Sequence, residues 1–150
     1  MSCWPLSISA QSNSNSLESL GEVPTVLPMD HAPGFLKMVN DAKTRIKEIS
    51  IDQARERLKS NPKAVLVDVR VDGEWHAGHA AEAMHLGKGI LERDLEKAIP
   101  DPNTEIIMYC GGGFRSALTA DAAQKMGYKN VTSLIGGYKG LVAANWPMKK

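Results

Sequence analysis

The sequence is poor in cysteine, in net charge and in long apolar runs, and each shortage excludes a class of protein. Only two of the 150 residues are cysteines, Cys3 and Cys110, too few for a disulfide scaffold or a four-cysteine zinc site. Lysine and arginine together number 18 against 17 acidic residues, so nucleic-acid binding by bulk charge is not expected. Every apolar run is far shorter than the roughly 20 residues that a helix needs to cross a bilayer. The first basic side chain is Lys37, so a targeting signal is not expected either. We therefore expect a cytoplasmic protein that binds neither nucleic acid nor a membrane.

Composition changes along the chain and predicts its organisation. Residues 1–29 are rich in serine and asparagine without any period, which indicates a flexible leader. Apolar residues then recur at helical spacing and predict a helix near 34–47, within an N-terminal helical extension over 30–47. The remainder, 48–150, is predicted to form one globular domain, since the whole chain has an ordinary globular content of apolar and charged residues.

The pattern over 48–150 alternates between strands and helices. A run rich in β-branched residues predicts a buried strand at 64–69, and a second buried strand is predicted at 105–109. A last strand is predicted at 131–135 and a short strand at 83–86. Helices are predicted between them, one opened by a capping box of Ser50 and Gln53. This order predicts an α/β sandwich, a mostly parallel central sheet with helices on both faces. Ligands bind at the carboxyl ends of such strands, where Cys110 stands.

A glycine-rich loop between the strand at 105–109 and a helix at 115–126 carries the chemistry. It consists of Cys110, Gly111, Gly112, Gly113, Phe114 and Arg115, followed by Ser116. Amides of such a loop and of the first helical turn lack helical partners and can converge on an anion. The positive end of the helix dipole favours Cys110 as a thiolate, the nucleophilic form. Arg115 opposes that dipole, so we expect it to bind an oxyanion or steady the thiolate.

The loop resembles the Cys-x-x-Gly-x-Arg active loop of the single-domain rhodaneses, or thiosulfate sulfurtransferases. Further marks of that family follow in the same order over about residues 48–148. They are Asp68-Val69-Arg70, Glu74-Trp75, Gly78-His79, His85-Leu86, Gly89 and Gly136-Gly137-Tyr138. The resemblance implies the rhodanese-like three-layer sandwich.

The resemblance also implies a mechanism. Cys110 would take sulfur from thiosulfate or a similar donor as a persulfide and pass it to cyanide, a thiol or a protein acceptor. Cys110 and Arg115 would be catalytic, and the residues from Gly111 to Phe114, with Ser116, would bind substrate. No metal or organic cofactor is implied. Asp68 and Arg70 are expected to form an ion pair that supports the strand ends.

Three other functions compete with this interpretation. Phosphatases and arsenate reductases also combine a cysteine, loop amides and an arginine, but a phosphatase class resembling this fold has five residues between cysteine and arginine, where this chain has four. A sulfur-carrier module in a protein relay would keep the same loop. A metal site at His76, His79, His85 and Cys110 is disfavoured, because Gly78 interrupts the helical spacing.

Overall fold

The computed structural model describes residues 31–150, of which residues 38–150 form one compact unit. The leader predicted over 1–29, and Cys3 within it, lie outside the described residues. Between residues 31 and 150, no helix has the length and apolar character that membrane crossing requires.

Helices and strands alternate through the described chain. The helices are α1 Pro33–Lys43, α2 Ile51–Ser60, α3 Asp72–Ala77, α4 Leu91–Ala98, α5 Phe114–Lys125 and α6 Gly137–Ala143, with a 3-10 turn at Lys88–Ile90. The strands are β1 Lys47–Ile49, β2 Val65–Asp68, β3 His79–Ala80, β4 Met84–His85, β5 Ile106–Tyr109, β6 Val131–Leu134 and β7 Met148–Lys149.

Five strands form a parallel sheet in the order β1-β6-β5-β2-β4, which confirms the predicted α/β architecture. Strand β5 lies in the middle, with Met108 paired to Val67 of β2 and to Ser133 of β6. Its carboxyl end is therefore flanked on both sides by other strand ends. The short strands β3 and β7 form a separate antiparallel ribbon.

Alternate residues of β5 face opposite layers of the sandwich. Ile106 and Met108 belong to an apolar cluster with residues of α4 and α5, and Cys110 continues the same face. Ile107 and Tyr109 belong to the opposite cluster, with residues of α2 and α6. Because side chains alternate along a strand, this register directs the Cys110 side chain toward α5.

The predicted helix at 34–47 is wrong in its last four residues. Helix α1 ends at Lys43, and Lys47 begins a strand that pairs with β6. Arg45 lies between them and binds Asp121 of α5 through Nε and Nη2, at 2.9 and 2.8 Å. This anchor and the pairing with β6 are tertiary contacts, which override the helical spacing of the apolar residues. The capping box of α2, in contrast, is confirmed in both hydrogen bonds.

Candidate functional site

The candidate site lies where β5 passes through the glycine loop into α5. Cys110 follows the last strand residue directly, and only 1% of its surface is exposed. Gly113 adopts a left-handed conformation with φ of 102°, which a residue with a side chain rarely adopts. In that conformation its N–H donates to Cys110 Sγ at 3.1 Å. One loop amide thus already points at the sulfur, and Phe114 begins the helix behind it.

The first turn of α6 sets the orientation of the loop peptides. The N–H groups of Tyr138 and Lys139 donate to the carbonyls of Cys110 and Gly111, at 2.7 and 3.2 Å. In a trans peptide the N–H points opposite to the carbonyl, so the next two loop amides point away from α6. Gly137 permits this approach, because a Cβ there would overlap the Cys110 carbonyl.

Arg115 is held across the loop by a carboxylate from α3. Its Nη1 and Nη2 bind Glu74 Oε1 and Oε2 at 2.7 and 3.1 Å. These hydrogen bonds lower the pKa of Glu74 and raise that of Arg115, to which the Cys110 sulfur adds a smaller electrostatic contribution. The guanidinium therefore stays charged beside the loop in a fixed two-point geometry.

Ring stacking fixes helix α3, which has no buried residue of its own. The indole of Trp75 stacks on His79 at 3.4 Å and on His85 at 4.7 Å between ring centroids. A ring nitrogen of His79 hydrogen-bonds the Trp75 carbonyl at 2.9 Å, and one of His85 bonds the Arg70 carbonyl at 2.8 Å. Over residues 31–150, His, Cys, Asp and Glu side chains form no group of three or more suited to a metal ion.

The predicted pair of Asp68 and Arg70 is present and fully enclosed. Arg70 Nη2 lies 2.7 Å from Asp68 Oδ2, and 2.6 Å from the carbonyl of Gly78, just beyond α3. Its guanidinium also lies 4.1 Å from the centroid of the Tyr138 ring on α6. Arg70 thereby connects the end of β2, the end of α3 and the start of α6, the segments that surround the loop.

Ser116 faces the sulfur from the first turn of α5. Its Oγ lies 3.6 Å from Cys110 Sγ and 2.8 Å from the hydroxyl of Ser133 on β6, and both serines are fully buried. Two more loop residues differ in their exposure. Gly112 is exposed, whereas Phe114 is half-buried with Lys43 Nζ 5.3 Å from its ring centroid. Nothing in the sequence assigns a role to Ser133 or to Glu74, because neither contact leaves a local pattern.

Both the sequence and the fold of this chain are similar to those of known proteins. The model of the rhodanese-like domain matches residues 50–144. The thiosulfate sulfurtransferase GlpE of Coxiella burnetii is 36% identical over 93 residues, which span 62% of this chain and 84% of GlpE. A structure from Rhodopseudomonas palustris, described as a possible tyrosine phosphatase, is 28% identical with a TM-score of 0.69 and covers 85% of this chain and 99% of its own. The polysulfide-sulfur transferase of Wolinella succinogenes is 25% identical with a TM-score of 0.68, and the match covers 83% of this chain and 93% of the transferase. The family model spans well over half of the sequence and includes the whole loop from Cys110 to Arg115, so this chain belongs to the rhodanese-like domain family.

Proposed function

We propose that this protein is a sulfurtransferase that carries sulfane sulfur on Cys110. The observation that supports it best is the hydrogen bond from Gly113 N–H to Cys110 Sγ, made at the start of a helix and beside a fixed arginine. A sulfur anion at this position meets an amide donor, the positive end of α5 and the charge of Arg115. Membership of the rhodanese-like family supports the same chemistry.

The proposed reaction has two steps. In the first, the Cys110 thiolate attacks the outer sulfur of thiosulfate, a new S–S bond forms, and the bond to the sulfonate group breaks. The sulfonate group leaves as sulfite with the bonding electron pair, and Cys110 becomes a persulfide anion. In the second, cyanide or a thiolate attacks the terminal sulfur and Cys110 leaves as thiolate. The loop amides stabilise the sulfur anion throughout, and no group outside the chain is needed.

Intact mass spectrometry after incubation with thiosulfate tests the proposal. The parent should gain the mass of one sulfur atom and lose it again on addition of cyanide. Cys110→Ser should gain nothing, whereas Cys3→Ser should behave as the parent does. A parent that stays unmodified, although folded and with a free Cys110 thiol, would contradict the proposal. A persulfide that forms but is discharged only by a protein thiol would identify a carrier in a relay.

A second candidate is phosphatase chemistry, since the Rhodopseudomonas palustris structure is described as a possible tyrosine phosphatase. The loop argues against it, because only four residues separate Cys110 from Arg115 and three of them are glycines. A shorter loop encloses less space than a tetrahedral phosphate with its ester group requires. Hydrolysis of p-nitrophenyl phosphate by the parent, lost in Cys110→Ser, would favour this second function.

A further inference from the structure

Two buried hydroxyl groups connect Cys110 to the neighbouring strand. Cys110 Sγ lies 3.6 Å from Ser116 Oγ, which lies 2.8 Å from Ser133 Oγ. The exposed fraction is 1% for Cys110 and zero for both serines. Among residues 31–150, the contact with Ser116 is the one hydrogen bond that the Ser133 hydroxyl makes. The three groups therefore form a buried chain with two links, which we call the hydroxyl chain.

The number of hydrogens in the hydroxyl chain depends on the ionisation of Cys110. With a thiol, three hydrogens compete for two links, so one donor is always left over in a buried place. With a thiolate, Ser133 donates to Ser116 and Ser116 donates to the sulfur, so both hydrogens and both links are used. Because a buried donor without an acceptor is costly, this balance favours the ionised cysteine.

The direction of the hydroxyl chain depends on Ser133, because either hydroxyl of the Ser116–Ser133 pair can be the donor. When it donates to Ser116 Oγ, the single hydrogen of Ser116 remains for Cys110, and the donated bond polarises that hydroxyl further. Without Ser133, the Ser116 hydroxyl can instead turn back to a carbonyl of its own helix, as serines in helices often do.

We propose that Ser133 is a positioning residue that directs the Ser116 hydroxyl toward Cys110 and thereby favours the thiolate. This inference deepens the proposed function, since a larger thiolate fraction means a larger fraction of active nucleophile. It extends the site from the loop to the adjacent strand β6.

The chain contains a matched control on the same strand. Thr132 precedes Ser133, is 3% exposed, and its Oγ1 has no hydrogen-bond partner among residues 31–150. Its neighbour in register, Ile107, belongs to the cluster on the α2 and α6 side, whereas Ser133 faces α5. Thr132→Val therefore removes a buried hydroxyl from β6 without touching the hydroxyl chain.

The test is a pH titration of the ultraviolet absorbance of the thiolate, taken for each variant as the difference from the same protein carrying Cys110→Ser. That subtraction removes the signals of Cys3 and of the tyrosines. In Ser133→Ala the midpoint should move to higher pH, with a thiolate fraction about two- to fivefold lower on the acidic side. Ser133→Thr should restore the parent curve, and Thr132→Val should leave it unchanged.

A merely structural role of Ser133 predicts a different result. It would lower the melting temperature or the total absorbance change without moving the midpoint, because the charged groups around the sulfur are the same in every variant. Arg115 interacts with the sulfur and is paired with Glu74, while Lys43, Lys139, Asp68 and Arg70 are the charged residues on the elements next to the loop. A Ser133→Ala curve that superimposes on the parent, or an equal shift in Thr132→Val, would overturn the inference.

The titration uses no sulfur donor, so its outcome is independent of the proposed function. If thiosulfate leaves the parent unmodified while the midpoint shifts in Ser133→Ala, the sulfurtransferase proposal fails and the role of Ser133 stands. If the persulfide forms while the midpoint does not shift, the sulfurtransferase proposal stands and the role of Ser133 fails.

Discussion

Glu74 accepts hydrogen bonds from Arg115 with both carboxylate oxygens, at 2.7 and 3.1 Å, although it lies 41 residues earlier in the chain. The charge at the mouth of the loop is therefore aimed by α3, and α3 is itself held by the Trp75 stack with two histidines. The pair thereby turns a flexible side chain into a fixed element of the site.

Removal of the guanidinium should weaken binding of an anionic sulfur donor. For Arg115→Ala we expect KM for thiosulfate to rise about tenfold or more, the usual scale for one charge-assisted hydrogen bond. Arg115→Lys keeps the charge but not the two-point geometry, so its KM should lie between those of Arg115→Ala and the parent. Steady-state kinetics with cyanide as acceptor measure both, and an unchanged KM in Arg115→Ala would exclude a role in donor binding.

Glu74 should make part of the stability sensitive to acid. Its pKa is lowered in the folded protein by Arg115, so the stabilisation is present above the unfolded value near 4.3 and is lost as the pH falls through the lower folded value. Glu74→Gln should therefore have a lower melting temperature than the parent at neutral pH. The two melting temperatures should converge below about pH 4.

The carboxylate of Glu74 is partly exposed, so the neutral-pH difference should not exceed about 1 kcal/mol. Thermal melts across the acidic range provide the measurement. Glu56→Gln is the control, since Glu56 is exposed and its carboxylate makes no ion pair among residues 31–150. A Glu74→Gln difference that stays constant with pH would show that the ion pair contributes nothing to stability.

Gly137 packs directly against the loop, and adding a single methyl group there should disrupt the loop. Gly137 has φ of 52°, and a Cβ on it would also lie 2.9 Å from the Gly111 carbonyl oxygen. We expect Gly137→Ala to lose several kcal/mol or to separate α6 from the loop, with loss of persulfide formation. Gly73→Ala is the control, because nothing lies within 4 Å of its Cβ position, and it should be as stable as the parent or slightly more so. Equal melting temperatures and persulfide yields in the two variants would contradict this.

The unsatisfied hydroxyl of Thr132 should cost stability. Its Oγ1 has no partner within the described residues although the side chain is buried. Thr132→Val keeps the shape and removes the polar group, so the free energy of unfolding should rise by about 1 kcal/mol. Thr132→Ser keeps the hydroxyl and loses the methyl group, and should be less stable than the parent. Denaturant unfolding compares the three, and a Val variant no more stable than the parent would mean that the hydroxyl is satisfied in solution.

The parts of the fold that could be predicted from sequence are those with long, uniform signals. The strands at Val65–Asp68 and Ile106–Tyr109 lie in predominantly apolar segments, and the capping box marks the start of α2. Strands β1, β3 and β7 contain only two or three residues each, fewer than an alternating pattern needs.

The loop could be located from sequence because its residues are consecutive, but its partners could not. Glu74 and Ser133 come to the loop from other elements, and only the three-dimensional structure places them there. Thr132 and Ser133 show the limit most clearly. They are adjacent hydroxyl residues in one strand, and one completes a hydrogen-bonded chain while the other has no partner among residues 31–150. Only the face toward which each side chain points makes the difference.

The hydrogen bonds from α6 to the Cys110 and Gly111 carbonyls also bear on how the loop is completed. A chain that ends before Tyr138 contains the whole loop sequence but neither of these two hydrogen bonds, so nothing from α6 orients the loop carbonyls. The loop is therefore completed only when the segment after β6 has folded against it. The site depends in this way on a part of the chain that lies outside the loop itself.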